Sequence, residues 1–215
     1  MTSKAFDIYF RNMGVFVRLS GRRVALSIAA FLLSTELFAQ TEARVPELLI
    51  DDFSSSVPAL GTQWDGFTDR VMGGRSDMRV GLEREDGYSY LSMTGNVSLA
   101  NNGGFIQARL LLKADGRASF DASRYSGIRL TARGSGDGYY IFLRTTGNTM
   151  PWSFFMARLP VTEEWQEISI PWQSFKKGDF GSFFSLNTTR LTSLAVVAYK
   201  KAFNAALDVR RVSFY

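Results

Sequence analysis

The chain contains neither cysteine nor histidine. That double absence excludes disulfides, thiolate or imidazole metal sites, covalent haem, cysteine nucleophiles and every Ser-His-Asp arrangement, because each needs a group the chain lacks. Any catalysis would rest on carboxylates, Lys, Tyr or a borrowed cofactor. Without thiols, cysteine usage also says nothing about the redox compartment. Proline is sparse, 5 in 215 residues, while 19 Gly, 46% hydrophobic and 14% aromatic residues fit one ordinary globular domain with a short extra segment. Collagen, coiled coil and wholesale disorder are excluded.

A strong charge of one sign is missing from the body of the chain. The formal net charge is +5, but residues 1–45 hold six basic and three acidic residues, leaving 19 basic against 17 acidic. That balance lacks the clustered Lys and Arg of a phosphate-backbone binder, and no nucleic-acid partner is expected. Long hydrophobic runs are missing as well. The apolar stretch Val24 to Leu33 falls well short of the roughly 20 residues that span a bilayer.

That stretch is preceded by Arg18, Arg22 and Arg23 and followed by Leu37-Phe38-Ala39 before Gln40, the order of an export signal. Residues 1–39 are therefore read as a signal or targeting segment cut after Ala39, with 40–46 as a linker. The expected location is exported and periplasmic. A mitochondrial presequence is the alternative, and Met13 would begin a signal of more ordinary length. Arg22-Arg23 also permits a twin-arginine route.

From Glu47 onward the hydrophobic period is two. Ile128, Leu130 and Ala132 alternate with Arg129, Thr131 and Arg133, and Ile168 and Ile170 with Glu167 and Ser169. Further strands are expected at residues 48–53, 79–84, 88–93, 105–112, 139–144, 152–159, 191–199 and 207–214, with Gly, Asn, Asp or Ser in nearly every gap. About ten strands and no credible long helix call for two antiparallel sheets face to face, since each strand buries one side. The fold expected for 47–215 is all-β, a single jelly-roll β-sandwich. Its roughly 170 residues would bury close to 70% of their unfolded surface, enough to fold without disulfides.

The segment Trp64 to Ser76 shows no strand alternation and is dense in charge: Asp65, Asp69, Arg70 and Arg75 surround Gly73-Gly74. It reads either as a contact loop, with Gly73-Gly74 turning the backbone and Asp69, Arg70 and Ser76 held toward a partner, or as a structural loop with an internal Asp-Arg pair. Asn101-Asn102-Gly103-Gly104-Phe105 reads as a second contact loop or an ordinary hairpin turn. Asp51 and Asp52 suggest hard-cation ligands, but neighbours on a strand point to opposite faces, and no metal or cofactor is expected. Gly134 to Gly138 lacks the Lys-Ser or Lys-Thr of a phosphate loop. Trp152, Trp165, Trp172, Phe180, Phe183 and Phe184 are core residues or a platform for sugar rings or a hydrophobic partner.

Asp69-Arg70-Val71-Met72-Gly73-Gly74-Arg75-Ser76 resembles the signature of the complex I intermediate-associated protein 30 family. Asn101 to Phe105 is similar to that family's second signature, Tyr125-Ser126-Gly127-Ile128 to the entry of its next strand, and Trp165 to Pro171 to its Trp-to-Pro strand. The similarity covers roughly 47–215. It implies a galactose-binding-like sandwich and, for mitochondrial members, a non-catalytic role, as a chaperone-like factor, in assembling respiratory complex I. An Arg-Gly element that many members carry after the Trp-to-Pro strand has no counterpart here, where Lys176-Lys177-Gly178-Asp179-Phe180 stands. The resulting expectation is a non-enzymatic binding module with Asp69, Arg70, Gly73, Gly74, Ser76, Asn102 and Gly104 at its contact surface and subunits or intermediates of complex I as partners. An exported carbohydrate-binding module is the alternative. Aligned exposed aromatics would favour sugar, and a polar loop surface would favour protein.

Overall fold

The computed structural model describes residues 45–55, 58, 62–112, 117–178 and 184–215, so the signal segment and its cleavage point lie outside the described residues, as do Phe180 and Phe183. Twelve strands run in chain order: β1 Leu48–Asp51, β2 Trp64–Thr68, β3 Asp77–Glu85, β4 Tyr88–Val97, β5 Phe105–Leu111, β6 Gly127–Ser135, β7 Tyr139–Thr145, β8 Phe155–Arg158, β9 Gln166–Pro171, β10 Lys176–Lys177, β11 Leu191–Tyr199 and β12 Phe203–Phe214. They form two antiparallel six-stranded sheets. One has the order β3-β4-β12-β6-β9 with β1 also on β12, and the other β10-β8-β7-β11-β5-β2. Among the described residues the only helices are short 3-10 turns.

The period-two segments behave as their pattern demands. Ile128, Leu130 and Ala132 of β6 and Ile168 and Ile170 of β9 face inward, in register as Ile128↔Ile170 and Leu130↔Ile168. Their outward neighbour Arg129 pairs with Glu47 and Glu167. Fully burying one such side chain stabilises the fold by about 1.5–3 kcal/mol. The core between the sheets continues through Met93, Ile106, Leu110, Ile141, Leu194, Val196, Val212 and Phe214. β11 departs from alternation because both its faces are covered. Leu194 and Val196 enter the core, while Ala195 and Val197 join Phe142 and Phe154 in a second apolar cluster on the outer face.

Three local expectations are corrected. Trp64–Thr68, read as loop, is an edge strand whose register, Trp64↔Leu110 to Thr68↔Ile106, is supplied by β5. Its Asp and Gly are poor strand formers, and pairing overrides that preference. β1 stops at Asp51, because Asp51 Oδ1 accepts the Phe53 N–H at 2.8 Å and holds Phe53 in a left-handed conformation, φ 58°. The strand expected at 152–159 shrinks to Phe155–Arg158, leaving Trp152 in the turn before it, 46% exposed.

Candidate functional site

β2 and β3 are the edge strands on the same side of the two sheets, and the chain crosses between them through residues 69–76. Thr68 opens a 3-10 turn, Asp69–Met72, by accepting the Arg70 N–H on its hydroxyl at 3.3 Å. Gly73 closes it in the left-handed region at φ 89°, donating its N–H to the Arg70 carbonyl at 3.1 Å. Such an angle favours glycine.

The Asp69 side chain turns inward and has no accessible surface. Its Oδ1 accepts the Ser76 N–H at 2.9 Å. Its Oδ2 accepts the Ser76 hydroxyl at 2.5 Å, the Gly104 N–H at 2.6 Å and, more weakly, the Phe105 N–H at 3.4 Å. The Ser76 hydroxyl in turn accepts the Ser98 N–H at 2.9 Å. One carboxylate thus ties the β2–β3 crossing to the start of β5, and through Ser76 to the end of β4. Burial disfavours its charge, but the Ser76 and Gly104 hydrogen bonds outweigh that and hold the carboxyl below the usual range.

Two glycines make room for this carboxylate. A Cβ on Gly74 would collide with the Asp69 carboxyl, as would one on Gly103. Gly74 is therefore required by close approach rather than by backbone angle. Gly104, at φ 132°, is required by angle as well. Asn101 and Asn102 both sit at φ 56°, and Asn101 donates its side-chain amide to the Gly73 carbonyl at 3.2 Å, a second tie between the two loops. Arg70 does not pair with Asp69. Its Nε donates to the Ser76 carbonyl at 2.9 Å while most of the side chain stays exposed.

The seven residues expected at a contact surface are thus brought together but divided by role. Asp69, Ser76 and Gly104 are buried and shape the loops, Gly74 is half-buried against them, and Arg70, Gly73 and Asn102 lie outside. What they present was not singled out from sequence. Val71 is 71% exposed and Met72 57%, at the tip of the turn, and Leu99 is 51% exposed on the adjoining β4–β5 connection. Arg70 and Arg75 flank the tip. The signal available was two apolar residues in the middle of a charged, tightly turned segment.

Other groups are committed elsewhere. Asp51, raised by burial, spends Oδ2 on the Trp64 indole N–H at 2.9 Å, and Asp52 takes the Ser54 backbone and hydroxyl. Among the described residues no three metal-ligating side chains cluster. Trp172 packs on the core and donates to the Tyr125 carbonyl at 2.6 Å. Trp165 lies edge-on to Tyr90, with the Arg133 and Arg210 guanidiniums over its ring. On the outer face of the second sheet, Phe142 stacks on Phe154 at 4.0 Å and Tyr199 packs edge-on to both, so these rings bury one another. Trp152 and Phe184 remain exposed.

Among solved structures the fold is similar to the family 11 carbohydrate-binding module of cellulosomal cellulase Lic26A-Cel5E of Clostridium thermocellum, at TM-score 0.62 and 12% identity, covering 79% of this chain and 94% of that one. A family 11 carbohydrate-binding module from Clostridium thermocellum in complex with a beta-1,3-1,4-mixed-linked tetrasaccharide aligns at TM-score 0.60 and 13% identity, covering 79% and 95%. The family 30 module of cellulase Cel9D-Cel44B of the same organism aligns at 0.55 and 14%, covering 80% and 98%. At these identities the likeness is one of fold. No curated protein matches. The family model for Complex I intermediate-associated protein 30 matches residues 52–207, a span that holds the Asp69 clamp and both loops it joins, and the chain belongs to that family.

Proposed function

We propose that this chain is a non-enzymatic binding module, an assembly or accessory factor for a protein complex, by family respiratory complex I, and that it docks through the loops gathered around Asp69. The observation that carries the reading is the pairing of a wholly buried, multiply hydrogen-bonded carboxylate with outward Val71 and Met72 on the same turn. Rigid presentation of exposed aliphatic side chains framed by arginines suits a protein partner, since an ordered loop loses little entropy on docking. The two six-stranded sheets fit the galactose-binding-like jelly roll. The leader supports export to the periplasm, with a mitochondrial address as the alternative.

A second reading, an exported carbohydrate-binding module, is favoured by the shared fold and by exposed Trp152. One experiment separates the two. Wild-type protein and the Val71→Asp and Met72→Asp variants are used as bait for affinity capture with mass spectrometry, and these three together with Trp152→Ala are run through gels containing mixed-linked glucan. Enrichment of respiratory subunits by wild type alone supports docking through the turn. Retardation by glucan, unchanged in the variants and lost in Trp152→Ala, would replace it with the sugar reading.

A further inference from the structure

At the side of the sandwich opposite the Asp69 loops, the two sheets end differently. Among the described residues β9 closes one sheet with no strand on its outer edge, whereas β8 in the other is covered only by β10, which pairs Lys176 with Met156 and Lys177 with Phe155. Among the described residues Ala157 and Arg158 have no strand partner on that side. Between these edges runs a groove of about 630 Å³. Its apolar surface comes from Tyr140, Met156, Ala157, Pro160, Ile168 and Ile170, and its charged side chains among the described residues are Arg158, Lys176 and Lys177.

Arg158 is paired with Asp137, but Lys176 and Lys177 are exposed and have no ion pair among the described residues. A free antiparallel edge offers a row of backbone donors and acceptors, and unprotected edges are normally blunted or occupied. Here Lys176 and Lys177 stand on the opposite bank of the groove from β9, whose own exposed charge, Glu167, is paired with Arg129. We propose that this groove takes an extended acidic polypeptide segment, which adds to the β9 edge through its main chain and turns the alternate side chains of its groove face, the carboxylates, across to Lys176 and Lys177. This surface is independent of the docking turn.

The test is fluorescence anisotropy of the full chain with a labelled peptide of about eight residues alternating Glu and Val, long enough to run along β9 at about 3.3 Å per residue. Two control peptides are used: one with Lys in place of Glu, and one N-methylated on alternate amides. The acidic peptide is expected to bind, and to weaken by about tenfold or more in the Lys176→Glu/Lys177→Glu double variant and at about 0.5 M salt. N-methylation is expected to weaken it as strongly, because it removes strand hydrogen bonds while keeping the charge. Val71→Asp should leave binding unchanged, which separates this surface from the proposed docking turn. The proposal is overturned if the acidic peptide does not bind, if the double variant binds it equally, or if the N-methylated peptide binds as well as its parent. The comparison of parent and N-methylated peptides on wild-type protein needs no variant.

Discussion

Replacing Asp69 by Ala removes the acceptor shared by Ser76, Gly104 and Phe105 and leaves donors stranded where no water reaches. At about 1–3 kcal/mol for each unsatisfied buried donor, urea denaturation should show a loss of about 3–5 kcal/mol. The carboxyl is held below 3.8, so the stability it confers is fully present above that pH and is lost as pH falls through the folded value. Acid titration of wild type and Asp69→Ala should therefore show their stability gap closing below about pH 4. A gap that persisted unchanged to strong acid would contradict this. Gly74 and Gly73 separate two causes of glycine requirement that look alike in sequence. Gly73→Ala meets open space and strains only the backbone, at about 1 kcal/mol. Gly74→Ala pushes on the Asp69 carboxyl and should cost about 1–3 kcal/mol. In an Asp69→Ala background the Gly74 cost should shrink while the Gly73 cost stays, a coupling that a double-mutant cycle measures.

Among elements, β12 is the spine of the first sheet, pairing with β1, β4 and β6, and Tyr139 at the start of β7 pins it from the other sheet. The Tyr139 hydroxyl accepts the Ala206 N–H at 2.8 Å and shares its one proton between the Ser135 and Ala206 carbonyls, at 2.7 and 3.0 Å. Burial raises its pKa to about 12. Because the folded value lies above the unfolded value of 10, the stability it confers is present below pH 10 and declines between about 10 and 12. Tyr139→Phe should lose about 1–2 kcal/mol at neutral pH and flatten that part of the alkaline profile, which thermal melts across pH 8–12 would register. Strands with clean alternation, such as β6 and β9, were legible because one face meets the core and the other meets water. β2 was not, since Trp64-Asp65-Gly66-Phe67-Thr68 carries its strand character in the register lent by β5.

For the whole molecule, Val45–Tyr215 forms one folding unit, and its core lies between the sheets, away from the exposed turn. Val71→Asp should therefore change the melting free energy by less than about 0.5 kcal/mol while abolishing partner capture. A large loss of stability would instead show that the turn packs on something. The export reading is checked at the same scale by amino-terminal sequencing of secreted protein. A start at Gln40 is expected, and recovery of Met1 or Met13 would remove it.

The sequence alone determined the β class, the two-layer arrangement and most strands, because period-two alternation is imposed locally by the pleat and by one buried face. It also marked the segment Asp69 to Ser76 and the Asn101 to Phe105 loop, since densely spaced Gly, Asn and charge demand a special backbone. Tertiary structure alone decided their roles. Whether Asp69 faces a partner or the interior depends on Ser76, Gly104 and Phe105 converging on it, and Gly104 lies 35 residues away in the chain. The same holds for Val71 and Met72, whose exposure follows from that inward carboxylate, and for the groove beside β9, which exists because β8, β9 and β10, consecutive in the chain, are divided between the two sheets and end on the same side.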